Sequence, residues 1–463
     1  MSFSALLQTQ RAFFETGVTR DLSFRRNQLR KLRDICKKNE EKIFEALKSD
    51  LRKPRLEAYA GELAPFFDEI DLAILHLPLW MKRRQVKTQF YKLGHLFAES
   101  FILPEPLGVT LILGPWNYPF NLILLPLIGA IAAGNCVVIK PSEMAPTSST
   151  LLFQLISENF DPHYIKVVEG DASVSKDLVS ERWDKIFFTG GTEIGKQIMK
   201  SAAEFLTPIT LELGGKSPCF IDHEVDIKIA ARRIIWGKFF NAGQTCVAPD
   251  YLLVHKDLKS KFIDQLKTTL QEFYGSNPQT SSDYARVINE KHFDRLTSYL
   301  SFGKIASGGR SDKTDLYIEP TLIECDSNTP KLMEDEIFGP ILPIVTYSHL
   351  LEAVTLIKSK AKPLAFYIFT SNKKTEEFLL QQIAAGGVCI NDTLVHLTNA
   401  ELPFGGVGPS GLGRYHGEYS FNEFSHFKAV EKKSFSFDSR FRYAPYKFAL
   451  KSGLLTKIIK KFI

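Results

Sequence analysis

The chain has 463 residues, 44% of them apolar and 24% charged. That is the composition of a folded protein of two to four domains at about 100–200 residues each, and it excludes both a small stapled scaffold and a disordered chain. Its 58 basic and 52 acidic side chains leave a net charge of +6 and a pI near 8.7, too dilute an excess over this length to mark a nucleic-acid binder.

The N-terminal segment has neither a basic leader nor an apolar stretch of signal-peptide length, and Cys36, Cys136, Cys219, Cys246, Cys325 and Cys389 form no CxxC pair and no Cys/His cluster. They read as free thiols of a cytoplasmic protein without a structural metal. Over the first 60 residues Leu29, Leu32, Cys36, Ile43 and Leu47 recur at helical spacing among charged residues, which predicts amphipathic surface helices serving as scaffold. From Leu103 onward short β-rich runs take over: Val109–Leu113, Cys136–Ile139, Ile165–Val168, Ile186–Phe188 and Ile209–Leu213. Their alternation with helix-length segments predicts a parallel α/β sheet. The longest apolar run, Leu122 to Gly134, contains Pro126 and falls short of the roughly 18–20 residues that span a bilayer, so it reads as a buried helix. A second set of runs, Pro218–Ile221, Tyr251–Val254, Ile341–Tyr347, Ala365–Phe369 and Gly387–Ile390, with helices at Leu258–Phe273 and Lys374–Ala384, predicts a second α/β domain. Last, Tyr446–Ile463 interleaves apolar residues with five lysines and no acid. It reads either as a basic amphipathic helix at an anionic membrane surface or as a terminal helix packed on its own protein.

Several segments carry possible chemistry. The run Phe240-Asn-Ala-Gly-Gln-Thr-Cys246 presents a cysteine among polar groups, and a thiol there becomes a nucleophile if backbone N–H groups, a helix end or a cation lower its pKa. In Ile209–Gly215, strand alternation sets Glu212 apart from Leu211 and Leu213. A general base, a ribose ligand and a solvated carboxylate are all open readings for it. The loop Thr189-Gly190-Gly191-Thr192-Glu193-Ile194-Gly195-Lys196 follows a strand and opens a helix, the setting of a phosphate site. Gln197 stands where a magnesium-binding Ser or Thr would be needed, which argues against an ATPase. Asn117, between Pro115 and Pro119, is a candidate oxyanion donor or ordinary turn chemistry. Lys140 with Glu143 suits ribose hydroxyls or forms a surface ion pair, and Glu336 with Phe338 precedes a turn.

Together, Pro115-Trp-Asn-Tyr-Pro119, Lys140-Pro-Ser-Glu143, Phe188-Thr-Gly-Gly-Thr192, Leu211-Glu-Leu-Gly-Gly-Lys216, Gly243-Gln-Thr-Cys246, Glu336-Ile-Phe-Gly-Pro340 and Pro403-Phe-Gly-Gly406 resemble, in residues and in order, the aldehyde dehydrogenase superfamily. The tail Gly411-Leu-Gly-Arg-Tyr-His416 is similar to the class 3 branch, which includes fatty and aromatic aldehyde dehydrogenases. The resemblance implies Cys246 as nucleophile, Glu212 as general base, and Asn117 with the Cys246 N–H as oxyanion hole. For the coenzyme it implies Lys140 and Glu143 at the adenosine ribose, Gly190, Gly191, Thr192 and Gly195 beside the pyrophosphate, and Glu336 and Phe338 at the nicotinamide end. The coenzyme is NAD or NADP, with Glu143 favouring NAD.

The implied fold has a Rossmann-like cofactor domain (1–84 and 103–210), a second α/β catalytic domain (211–395) and a small β oligomerisation element (85–102 and 396–430), followed by the basic tail (431–463). The implied partners are an aldehyde and a second copy in a homodimer. The substrate expected from 36 Phe and the tail is a medium- or long-chain or aromatic aldehyde. Glu212 argues against a CoA-acylating relative, and retention of both Cys246 and Glu212 argues against a non-catalytic scaffold.

Overall fold

A computed structural model describes residues 3–89, 95–438, 443–445 and 457. Tyr446–Ile463, the proposed membrane-surface helix, lies outside the described residues except for Lys457. The N-terminal helices Phe3–Glu15, Leu22–Lys38 and Glu40–Leu51 form as their periodicity predicts, and Leu29, Leu32, Cys36, Ile43 and Leu47 are buried.

The first sheet has six strands in the order Gly411–Leu412, Ile209–Glu212, Lys185–Thr189, Val109–Leu113, Cys136–Lys140, Ile165–Val167. Every pairing is parallel except that of Gly411–Leu412, which adds antiparallel to the edge. These strands are apolar on both faces because helices cover both sides. The helix Asn121–Ala133, formed by the longest apolar run, is buried at every residue. The second sheet runs Lys304–Ser307, Thr321–Glu324, Ile341–Tyr347, Tyr251–His255, Pro218–Ile221, Ala365–Phe369, Gly387–Ile390, and only its first strand is antiparallel. A third, antiparallel sheet joins Arg84–Gln85, Ala98–Pro106 and Ser425–Lys433.

All six cysteines are free, and Cys36, Cys136, Cys219 and Cys389 are buried. Among the described residues no helix is long and apolar enough to cross a membrane, and none forms a metal-holding cluster of His, Cys, Asp and Glu.

Candidate active site

Four motif segments leave the carboxyl ends of adjacent parallel strands. Pro115–Pro119 follows Val109–Leu113, Lys140–Glu143 follows Cys136–Lys140, the glycine loop follows Lys185–Thr189, and Glu212 ends its own strand. From Val109–Leu113 the chain first adds strands on one side and then returns to add Lys185–Thr189 and Ile209–Glu212 on the other. Such a reversal opens a crevice beyond the strand ends, where α/β proteins bind ligands.

The coenzyme candidates lie around this crevice. Gly191 caps the helix Thr192–Ala202 without any side-chain cap, and a Cβ added there would meet nothing within 4 Å, so the first helical N–H groups face open space suited to a phosphate. A Cβ on Gly195 would fall 2.7 Å from Leu213, so the glycine lets the helix pack closely on the sheet. A side chain on Gly190 would meet the Phe188 ring at 2.5 Å. Thr189 Oγ1 is buried with no hydrogen-bond partner. Lys140 is buried and donates to Glu143 at 2.7 Å. Lys196, by contrast, pairs with Glu193 on the surface, which fits the reading against an ATPase. Phe338, at φ 49°, sets its ring edge-on to Trp116 at 5.4 Å. The open helix start, the buried ammonium beside a carboxylate and the orphan hydroxyl fit a nicotinamide dinucleotide.

Cys246 follows a constrained turn. Asn241, Ala242 and Gly243 are all left-handed, at φ 54°, 52° and 75°, a conformation that costs of order 1–3 kcal/mol per non-glycine residue and persists only when its surroundings enforce it. A Cβ on Gly243 would overlap the Gly339 carbonyl. The Asn241 N–H donates to Glu57 at 2.8 Å, and the Gln244 side chain donates to the Asn241 and Arg286 carbonyls and accepts from the Ile288 N–H. The Thr245 hydroxyl meets Tyr118 Oη at 2.6 Å.

The half-buried Cys246 packs against an apolar cluster containing Tyr118, Phe240 and Leu394. Sequence alone expects its thiol to be acidified; here the thiol is pushed up to about 12. Loss of water is the main cause, followed by the carboxylates of Glu336 and Glu212, against which the Cys246 and Val247 N–H groups act only partly.

Glu212 is buried with neither carboxylate oxygen hydrogen-bonded, which removes the solvated reading. Burial and the charge of Glu423 raise its pKa well above the usual range. The Glu336 carboxylate packs so closely on the 213–215 turn that a Cβ at Gly214 would displace it, and burial with nearby Asp250 pushes it up to about 8. The Asn117 amide donates to the Gln244 carbonyl at 3.0 Å, and its nitrogen carries a second hydrogen.

Several supporting residues had no sequence signal. Lys53 is fully buried and donates to Glu62 at 2.7 Å and to the Asn117 carbonyl at 3.0 Å. Glu62 in turn accepts from the Phe120 and Asn121 N–H groups, and burial raises the pKa of Glu57 to about 8. The N-terminal segment is therefore more than scaffold, because it holds the Asn117 loop and the Cys246 turn. Lys238 did carry a signal: it stands on the face of helix Ile227–Phe239 that buries Ile234 and Ile235.

The fold and the candidate site, a crevice at a strand-order reversal with a cysteine turn beside it, belong to a known class of oxidoreductases. Residues 4–430 match the Aldehyde dehydrogenase family, and the chain belongs to that family, an NAD(P)-dependent one. The 4,4'-diaponeurosporen-aldehyde dehydrogenase of Staphylococcus aureus is 48% identical over 440 residues, 94% of this chain and 95% of its own length. Aldehyde dehydrogenase family 3 member H1 of Arabidopsis thaliana is 47% identical over 96% of this chain and 92% of its own. A solved structure described as the substrate-bound state of Staphylococcus aureus AldH superposes with a TM-score of 0.96 at 46% identity, covering 100% of this chain and 99% of that one. Several matched relatives, the Arabidopsis one among them, are named as aldehyde dehydrogenase family 3 members, and the expected aldehyde dehydrogenase fold is confirmed.

Proposed function

We propose that the protein oxidises an apolar aldehyde to its carboxylic acid through a thioester on Cys246. The observation that carries this reading is the convergence of Cys246, Glu212, Glu336 and Asn117 at the crevice, with both oxygens of Glu212 unpartnered. Cys246 Sγ adds to the aldehyde carbon, and the second Asn117 N–H with the Cys246 N–H holds the oxyanion. NAD(P)+, when bound, would supply the acceptor for the hydride that leaves the adduct carbon as the oxyanion's electron pair re-forms the carbonyl, turning the adduct into the thioester. Glu212 takes a proton from water as its oxygen bonds the thioester carbon, and breaking the C–S bond releases the acid and returns the thiolate.

Lys140 and Glu143 hold the adenosine ribose, Gly190, Gly191, Thr192 and Gly195 flank the pyrophosphate, and Glu336 and Phe338 face the nicotinamide end. A 2′-phosphate would meet the Glu143 carboxylate, which favours NAD. The aromatic wall around Cys246 suits medium- or long-chain or aromatic aldehydes, and the Staphylococcus relative is named for 4,4'-diaponeurosporen aldehyde. The segments 1–84 with 103–210, and 211–395, are assigned to coenzyme and catalysis. Among the described residues Ser425–Lys433 is the last strand of the third sheet, and we assign that sheet to a homodimer contact, in the cytoplasm.

The test is coenzyme reduction at 340 nm with aliphatic aldehydes of rising chain length and benzaldehyde, with NAD and NADP separately. Cys246→Ala is expected to lose activity by at least about 1,000-fold, and Glu212→Gln to stall after one hydride transfer per site. Activity surviving in Cys246→Ala would overturn the mechanism; activity appearing only with added CoA would point to acyl transfer to that thiol.

A further inference from the structure

The proposed oxyanion site takes its two donors from different parts of the chain. The Asn117 amide comes from the loop after Val109–Leu113, and the Cys246 N–H from the turn after the helix Ile227–Phe239. Donors on separate segments can hold one oxygen only if the segments keep a fixed separation. One side chain bonds to both. Asn241 Nδ2 donates to the Asn117 carbonyl at 3.0 Å and to the Gln244 carbonyl at 3.3 Å. That same Gln244 carbonyl accepts from the Asn117 amide at 3.0 Å. Both hydrogens of the Asn241 amide therefore close a ring that runs through the oxyanion donor and ends two residues before Cys246. With a carbonyl on each side, only the nitrogen end of the amide can face them.

Asn241 is 0% exposed, and its Oδ1 is buried without a hydrogen-bond partner, a loss of stability that an apolar side chain would avoid. Its backbone is left-handed at φ 54°, a conformation asparagine tolerates better than most residues, and its N–H is held by Glu57 at 2.8 Å. Lys53 also reaches the Asn117 carbonyl, but it ties that carbonyl to Glu62, whereas Asn241 ties it to the cysteine turn itself. We propose that Asn241 is a positioning residue whose side-chain amide fixes the separation of the Asn117 and Cys246 oxyanion donors. The proposal rests on the reading of Asn117 and Cys246 given above. Asn241 acts through Asn117 rather than on the aldehyde, so the two form one unit in transition-state binding and the losses from removing them do not add.

The test is a double-mutant cycle in the full-length enzyme, read as single-turnover hydride transfer at 340 nm with saturating NAD and a range of benzaldehyde concentrations. Asn241→Gly keeps the left-handed turn accessible and removes the amide, while Asn241→Asp keeps the shape but not the donors. The other variants are Asn117→Ala and Asn117→Ala combined with Asn241→Gly. Loss of one oxyanion donor typically slows a reaction about 100- to 1,000-fold, the range expected for Asn117→Ala. Asn241→Gly and Asn241→Asp are expected to slow the step about tenfold or more at a little-changed half-saturating benzaldehyde concentration, and the double variant to be no slower than Asn117→Ala alone. Alkylation of Cys246 by iodoacetamide, a displacement that forms no oxyanion, should keep its native rate in Asn241→Gly. A native oxidation rate in folded Asn241→Gly or Asn241→Asp, or losses that multiply in the double variant, would overturn the proposal. So would alkylation slowed as much as oxidation, which would make Asn241 a general support of the turn. Native oxidation in Asn117→Ala, or its survival in Cys246→Ala, would instead overturn the reading of the oxyanion donor or of the nucleophile, so the two failures are distinguishable.

Discussion

Glu212 shows how one side chain links stability to chemistry. Its two carboxylate oxygens are enclosed without partners, so the folded chain holds the proton more tightly than an unfolded chain does, and its pKa lies well above the usual range through burial and Glu423. For an acid raised in this way, the stabilising contribution is complete below the unfolded value of about 4.3. It is then lost as pH climbs toward the folded value, at up to about 1.4 kcal/mol per pH unit. Glu212→Gln keeps the shape and removes the titration. The variant is therefore expected to melt above the native protein at pH 8, with the difference shrinking toward pH 5, while hydrolytic turnover is lost. Melting curves at the two pH values check this, and a difference that does not change with pH would refute it.

At the scale of elements, the site is held by pieces that are distant in sequence. The turn after Leu51 sends Lys53 into the core, where it pairs with Glu62 and reaches the Asn117 carbonyl, while Glu62 also fixes the start of the helix Asn121–Ala133. Lys53→Met leaves Glu62 buried without its cation, a change that typically costs 3–5 kcal/mol. Urea unfolding should show a loss of about that size, accompanied by a fall in kcat from the displaced Asn117; loss of stability with an unchanged kcat would separate Lys53 from the oxyanion donor.

These elements also show what the sequence made legible. The strands Val109–Leu113, Pro218–Ile221, Ile341–Tyr347, Ala365–Phe369 and Gly387–Ile390 begin and end where their β-rich runs predict; for all but the half-buried edge strand Gly387–Ile390 the reason is that a strand buried on both faces is written as a continuous apolar run. The buried helix before Cys136 was legible for the same reason. The Lys53–Glu62 pair was not, since its members sit in segments patterned like surface helices and only the tertiary fold brings them to Asn117. The direction of the Cys246 shift was also hidden, because the Phe240–Cys246 run shows the nearby polar groups but not the carboxylates of Glu336 and Glu212.

At the scale of the whole molecule, the proposed coenzyme contacts come from both large sheets: Lys140, Glu143 and the glycine loop from the first, and Glu336 with Phe338 from the turn before Ile341–Tyr347 in the second. A ligand bridging the two stabilises the folded chain by mass action, by about 2.7 kcal/mol when present at 100 times its dissociation constant. Glu143 is partly exposed and already pairs with Lys140, so a 2′-phosphate there adds a negative charge beside a carboxylate whose cation is engaged. NAD should therefore raise the melting temperature more than NADP at equal concentration, and Glu143→Gln should enlarge the NADP shift while weakening the NAD shift through the lost ribose contact. Equal shifts from the two coenzymes in the native protein, unchanged in Glu143→Gln, would remove Glu143 from coenzyme selection. Glu336→Gln gives the matching test from the second sheet. If its carboxylate helps hold the coenzyme across the crevice, its loss reduces both shifts together rather than altering the choice between them.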